Sequence, residues 1–92
     1  MANEELHIAS LVVHVPPRRL ESVGQTIAAL PGALVHAASA QGKLVVTLEA
    51  ASAEDMAQTV SRIQHIEGVL SAALVYQCAD TLDAMNEEMS DV

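Results

Sequence analysis

Ile27-Ala28-Ala29-Leu30-Pro31-Gly32-Ala33-Leu34 is echoed further along the chain by Ile63-Gln64-His65-Ile66-Glu67-Gly68-Val69-Leu70. In each copy, apolar residues three positions apart close an amphipathic helix, a glycine stops it, and an apolar run opens a strand. Leading into the first copy, Leu20, Val23, Ile27 and Leu30 form one helical stripe, with Pro17 suited to the first turn. Before it, Leu6 to Val15 is rich in β-branched residues and ends at Pro16-Pro17, as a buried strand does. Between the copies, Ala33–Ala38 and Lys43–Glu49 are strands joined by a tight turn at Ser39–Gly42, so they form a hairpin. Ser52 and Asp55 have the spacing of a capping box. Met56, Val60, Ile63 and Ile66 then give the second stripe, followed by a fourth strand over Val69–Tyr76.

Each half is therefore strand, helix, glycine stop, strand. Two such halves joined by a hairpin predict an α+β split βαβ fold (βαββαβ), a four-stranded antiparallel sheet with strands 1 and 3 central and two helices on one face. The expected organisation is a flexible N-terminus over residues 1–5, a single domain over 6–77 and an acidic tail over 78–92. From Asp80 onward the chain has five acidic residues and no basic one, which predicts a mobile tail with a fleeting helix around Leu82–Met89.

Ninety-two residues suffice for one core and not for two. The 51% apolar content is almost wholly aliphatic, with Tyr76 the one aromatic. A formal charge of −8, with only Arg18, Arg19, Lys43 and Arg62 as cations, repels phosphate backbones and suits a basic peptide. Nucleic acid is not expected as a partner, and no apolar run is long enough for stable membrane insertion. The lone Cys78 excludes an internal disulfide, and with no signal peptide in view the expected compartment is a reducing cytoplasm. Arg18-Arg19 is followed by Glu21 rather than an apolar segment, so it reads as two solvated arginines at a helix start rather than as an export signal.

Chemistry is not expected. The four histidines and Cys78 have no paired-ligand spacing, and His14 and His36 fall on strands that strand 3 separates by about 10 Å. No metal or other cofactor is predicted. Cys78 has no cationic neighbour in sequence, and no nucleophile-base spacing or glycine-rich phosphate loop occurs. Gly24, inside a helix, reads as a point of close packing on the sheet.

Strand parity identifies the side chains that point away from the helices. On strand 3, Leu44, Val46 and Leu48 face the core, leaving Lys43, Val45, Thr47 and Glu49 outward. On strand 1, the more polar set of Ile8, Ser10, Val12 and His14 is outward. Aligning the glycine stops puts Leu34 and His36 outward on strand 2, and Leu70, Ala72, Leu74 and Tyr76 outward on strand 4. Such a face exposes more contiguous apolar surface than a monomer ordinarily leaves bare, so something covers it.

Ser10-Leu11-Val12-Val13-His14, Leu30-Pro31-Gly32, Gly42-Lys43-Leu44-Val45-Val46 with Glu49, and Glu67-Gly68-Val69-Leu70-Ser71-Ala72-Ala73-Leu74-Val75-Tyr76 together resemble the NapD family over about residues 6 to 77. The resemblance implies a ferredoxin-like fold and a cytoplasmic chaperone rather than an enzyme. Its implied partner is the twin-arginine signal peptide of the periplasmic nitrate reductase catalytic subunit. By holding that peptide the chaperone delays export until the molybdenum cofactor and iron–sulfur cluster are in place, handling neither itself. Gln77 stands where a histidine commonly follows the tyrosine, and Leu34 where an acidic residue is frequent, so neither position is carried over as a family contact.

The expected signal-peptide-binding surface is Ile8, Ser10, Val12, His14, Val45, Thr47, Glu49, Leu74 and Tyr76. Ile8, Val12, Val45, Leu74 and Tyr76 would pack on the apolar stretch of the peptide, while Glu49 and the tail acids meet its arginines. Tyr76, the one large amphipathic side chain, is the expected hot spot. Two alternatives share the topology: an AsnC/Lrp-like small-molecule-sensing domain, whose helix also ends in Leu-Pro-Gly, and a homodimer whose sheet is covered by its own copy.

Overall fold

The computed structural model describes residues 5–81. Strand β1 (Glu5–His14) leads through a 3-10 turn (Pro17–Arg19) into helix α1 (Leu20–Ala28). The hairpin β2 (Ala33–Ser39) and β3 (Lys43–Ala50) follows, then helix α2 (Ala53–Gln64) and strand β4 (Ser71–Thr81). The sheet is antiparallel throughout, in the order β2-β3-β1-β4, so β1 and β3 are central as expected.

One core lies on the helix side of the sheet. Ala9, Leu11 and Val13 of β1 and Leu44, Val46 and Leu48 of β3 are buried against Val23 and Ile27 of α1 and Met56 and Ile63 of α2. The aliphatic stripes of both helices thus meet the inward parity of the two central strands, which is the main driving force of this fold. His7 joins that side at 7% exposure, its Nε2 lying 3.2 Å from Glu5 Oε1.

Local chemistry sets the element ends. Ser52 caps α2 by accepting a hydrogen bond from the Asp55 backbone N–H at 3.1 Å, and Glu54 and Asp55 occupy the first turn, where the helix dipole favours negative charge. Gly32 adopts φ +78°, and a Cβ there would run into the Glu49 carbonyl. Its own carbonyl accepts from Glu49 N–H at 2.9 Å, so this glycine both ends the α1 segment and seats the β2 entry on β3.

Strand β4 departs from the sequence reading at both ends. It starts at Ser71 rather than Val69, and it runs on to Thr81 because Cys78, Ala79, Asp80 and Thr81 pair with Ile8, His7, Leu6 and Glu5. Residues 78–81, assigned to the tail from composition, are therefore part of the sheet. Glu5, expected in a flexible N-terminus over residues 1–5, is the first residue of β1 and pairs with Thr81; residues 1–4 and the tail beyond Thr81, with its expected helix around Leu82–Met89, lie outside the described residues.

Candidate functional site

The open side of the sheet is organised in four rows. Across β1 and β3 they are Ile8 with Glu49, Ser10 with Thr47, Val12 with Val45, and His14 with Lys43. Strand β4 extends them with Cys78, Tyr76, Ala73 and Ser71 respectively. On the other flank, β2 adds Leu34 beside Thr47, Ala37 beside Val45 and Ser39 beside Lys43. Antiparallel partners lie on the same face, so each row is a strip of neighbouring side chains.

Leu34 and Tyr76, both 57% exposed, flank the row of Thr47 and Ser10; Val45 and Val12 make the next row apolar, and Ile8 lies beside Glu49 in the first. His36 is the extra residue of a bulge in β2, and its Nε2 shares a 2.6 Å hydrogen bond with Thr47 Oγ1, which holds the imidazole over this face. His14 Nδ1 lies 3.3 Å from Ser71 Oγ in the last row. The structure thus brings Ile8, Ser10, Val12, His14, Val45, Thr47, Glu49 and Tyr76 onto one surface.

Leu74 is the correction. It pairs with fully buried Leu11, and Ala72 with fully buried Val13, so both point to the helix side rather than outward. Leu74 lines a groove of about 250 Å³ with Met56, Ala57 and Val60 of α2. Aligning the glycine stops misplaces them because pairing begins at once after Gly32, at Ala33, whereas Val69 and Leu70 precede the first paired residue after Gly68. Tyr76 nevertheless reaches the open side because Val75 is an extra residue between Leu74 and the Ser10–Tyr76 pair. Nothing in the sequence of β4 marks that bulge.

The sequence reading also missed Cys78, which the long β4 places beside Ile8. Ala37 and Ala73 belong to the face as well, and as small residues they carried no parity signal. His14 and His36 sit on β1 and β2 with β3 between them. Among the described residues, no three His, Cys, Asp or Glu side chains converge as metal ligands would, and no helix is long and apolar enough to cross a membrane. What the face offers is non-covalent: an apolar centre, hydroxyls and imidazoles that can hydrogen-bond, a carboxylate at one end and an ammonium at the other.

Comparison with known proteins agrees with this architecture. The model of the NapD protein family matches residues 6–81. The chain is 36% identical to Chaperone NapD of Escherichia coli K12 over 70 residues, covering 75% of this chain and 80% of that protein. It is 40% identical to Chaperone NapD of Paracoccus pantotrophus over 72 residues, covering 78% of this chain and 63% of that one. The solution structure of the E. coli Tat proofreading chaperone NapD superimposes with a TM-score of 0.77 at 33% identity, covering 82% of this chain and 80% of that one. The match decides against the ligand-sensing alternative, and the four-stranded sheet with both helices behind it is the ferredoxin-like arrangement expected. This chain belongs to the NapD family of chaperones, which are not enzymes.

Proposed function

We propose that this protein is a cytoplasmic Tat proofreading chaperone that binds the twin-arginine signal peptide of the periplasmic nitrate reductase catalytic subunit on the open face of its sheet. By occluding that signal it delays export until cofactor insertion is complete. The observation that carries this reading is the face itself: the apolar side chains Ile8, Val12, Val45 and Tyr76 on one surface, with a carboxylate, Glu49, beside Ile8 at one end. A twin-arginine signal is a cationic segment followed by an apolar one, and this surface complements both parts. Family membership supplies the identity of the partner, which surface chemistry alone would leave as some basic amphipathic polypeptide.

The test is calorimetric titration of the synthetic signal peptide into the wild-type chain, Tyr76→Ala and Glu49→Gln. Both variants are expected to bind more weakly while melting close to wild type, since both side chains are exposed. Unchanged affinity in both would remove this surface from the proposal.

A further inference from the structure

The open face is electrically polarised along the strands. Its first row holds Glu49 beside Ile8, and its last holds Lys43 beside His14. Six residue steps along β3 separate the two charges, about 20 Å of extended strand. The polarity extends beyond the face. Gly42, next to Lys43, packs against the Val15 carbonyl and Pro17 N, which brings the β2–β3 turn beside the 3-10 turn carrying Arg18 and Arg19. At the opposite end, Glu54 and Asp55 open α2 immediately after β3. Strand β4 also ends there, at Thr81 opposite Glu5. Among the described residues the Glu49 end is acidic on balance, with Arg62 its one cation, and the Lys43 end is basic on balance, with Glu21 and Glu67 beside Arg18 and Arg19.

We infer that this polarity fixes the direction in which a signal peptide lies on the sheet, and that Lys43 and His14 are its positioning residues. The inference rests on the signal-peptide reading above. The arginines sit at the Glu49 end, and the apolar segment runs parallel to β1 toward Lys43 and His14. Two independent forces select the same direction. Arginines placed at the other end would meet Lys43 in the last row, a like-charge arrangement that costs affinity. If the apolar segment is helical, its dipole puts partial positive charge at its start, near Glu49, and partial negative charge at its end, near Lys43. About 13 residues of helix span the same 20 Å. A peptide lying the other way would oppose both terms at once.

The direction is read by spin labelling. Cys78, the single cysteine of the chain, pairs with Ile8 in the acidic row and accepts a nitroxide without further mutation. A second protein, Ser71→Cys in a Cys78→Ser background, carries the label in the basic row, since Ser71 pairs with His14. With an isotope-labelled signal peptide, the Cys78 label should broaden the arginine resonances most. The position-71 label should broaden the far end of the apolar segment most. The reversed pattern, or equal broadening of both ends by both labels, overturns the inference while leaving peptide binding intact.

A label-free arm guards against nitroxides that obstruct the face. Glu49→Gln is expected to weaken the native peptide about three- to fivefold and to have a smaller effect, from the helix start alone, on a peptide whose two arginines are replaced by glutamine. Lys43→Gln should shift both peptides by the same factor. Coupling of the arginines to Lys43 rather than to Glu49 overturns the inference. If no peptide binds the unmodified protein, the signal-peptide reading and the direction fall together.

Discussion

Tyr76 stands opposite Ser10 on the open side of the sheet, only two positions after Leu74, which stands opposite buried Leu11 on the helix side. Regular alternation would put both on one face. The extra residue Val75 separates them and lets one strand serve both layers, with Leu74 packing toward α2 and Tyr76 presented outward.

That register separates two substitutions that look alike on paper. Leu74→Ala should cost about 1 kcal/mol of stability, at the low end for a leucine because the side chain is 48% exposed, and should leave peptide affinity within about twofold. Tyr76→Ala should do the reverse, raising the peptide Kd about tenfold or more with little change in melting temperature. Chemical denaturation and calorimetry on the two variants would check this. A larger binding defect in Leu74→Ala than in Tyr76→Ala would contradict the register.

Much of this was legible in the sequence where two signals coincided. In β3, the alternation of Leu44, Val46 and Leu48 with Lys43, Val45, Thr47 and Glu49 marked both faces; in β1 the more polar set of Ile8, Ser10, Val12 and His14 marked the outer one, and the ladder agrees, with Val12 opposite Val45. In β4 the signals separated. Leu70, Ala72, Leu74 and Tyr76 have equal spacing, and only the ladder to β1 shows that the second and third face the other way from the fourth. The continuation of β4 through Cys78–Thr81 was illegible for a related reason. Those residues have modest strand propensity, and their place comes from pairing with the first residues of β1 rather than from local preference.

Gly32 and Gly24 should respond oppositely to alanine. At Gly32 the backbone is left-handed and the new Cβ would strike the Glu49 carbonyl, so Gly32→Ala is expected to destabilise the fold by about 2 kcal/mol or more. Gly24 lies within α1 with ordinary helical backbone, and a Cβ there would meet Leu44 Cδ2 at 3.8 Å, a normal contact. Gly24→Ala should therefore stabilise the protein by about 0.5 to 1 kcal/mol through helix propensity and a less flexible unfolded chain. Paired denaturation curves decide both signs.

Ser52 gives a smaller effect with a defined origin. Its hydroxyl satisfies the Asp55 N–H at the start of α2, and Ser52→Ala leaves that donor to water. A loss of about 1 kcal/mol is expected. Ser52→Asp should recover most of it, because a carboxylate accepts the same hydrogen bond and suits the helix start. Failure of the Asp variant to recover stability would place the role of Ser52 outside capping.

The last prediction concerns charge at the acidic end of the sheet. Residues 82–92 contribute Asp83, Glu87, Glu88 and Asp91, half of the formal charge of −8, and they follow Thr81 at the end of the face where Glu49 lies. Truncation after Thr81 leaves intact every sheet pair among the described residues, so melting behaviour should be close to wild type. Association with the cationic signal peptide should slow several-fold at low salt, because long-range attraction acts mainly on the encounter rate. The difference should shrink as salt rises and the screening length falls to about 8 Å at physiological strength. Stopped-flow association at two salt concentrations tests this. A deficit that persists at high salt would mean that the segment makes short-range contacts with the peptide, and equal rates at low salt would assign the electrostatic attraction to Glu49 and its folded neighbours alone.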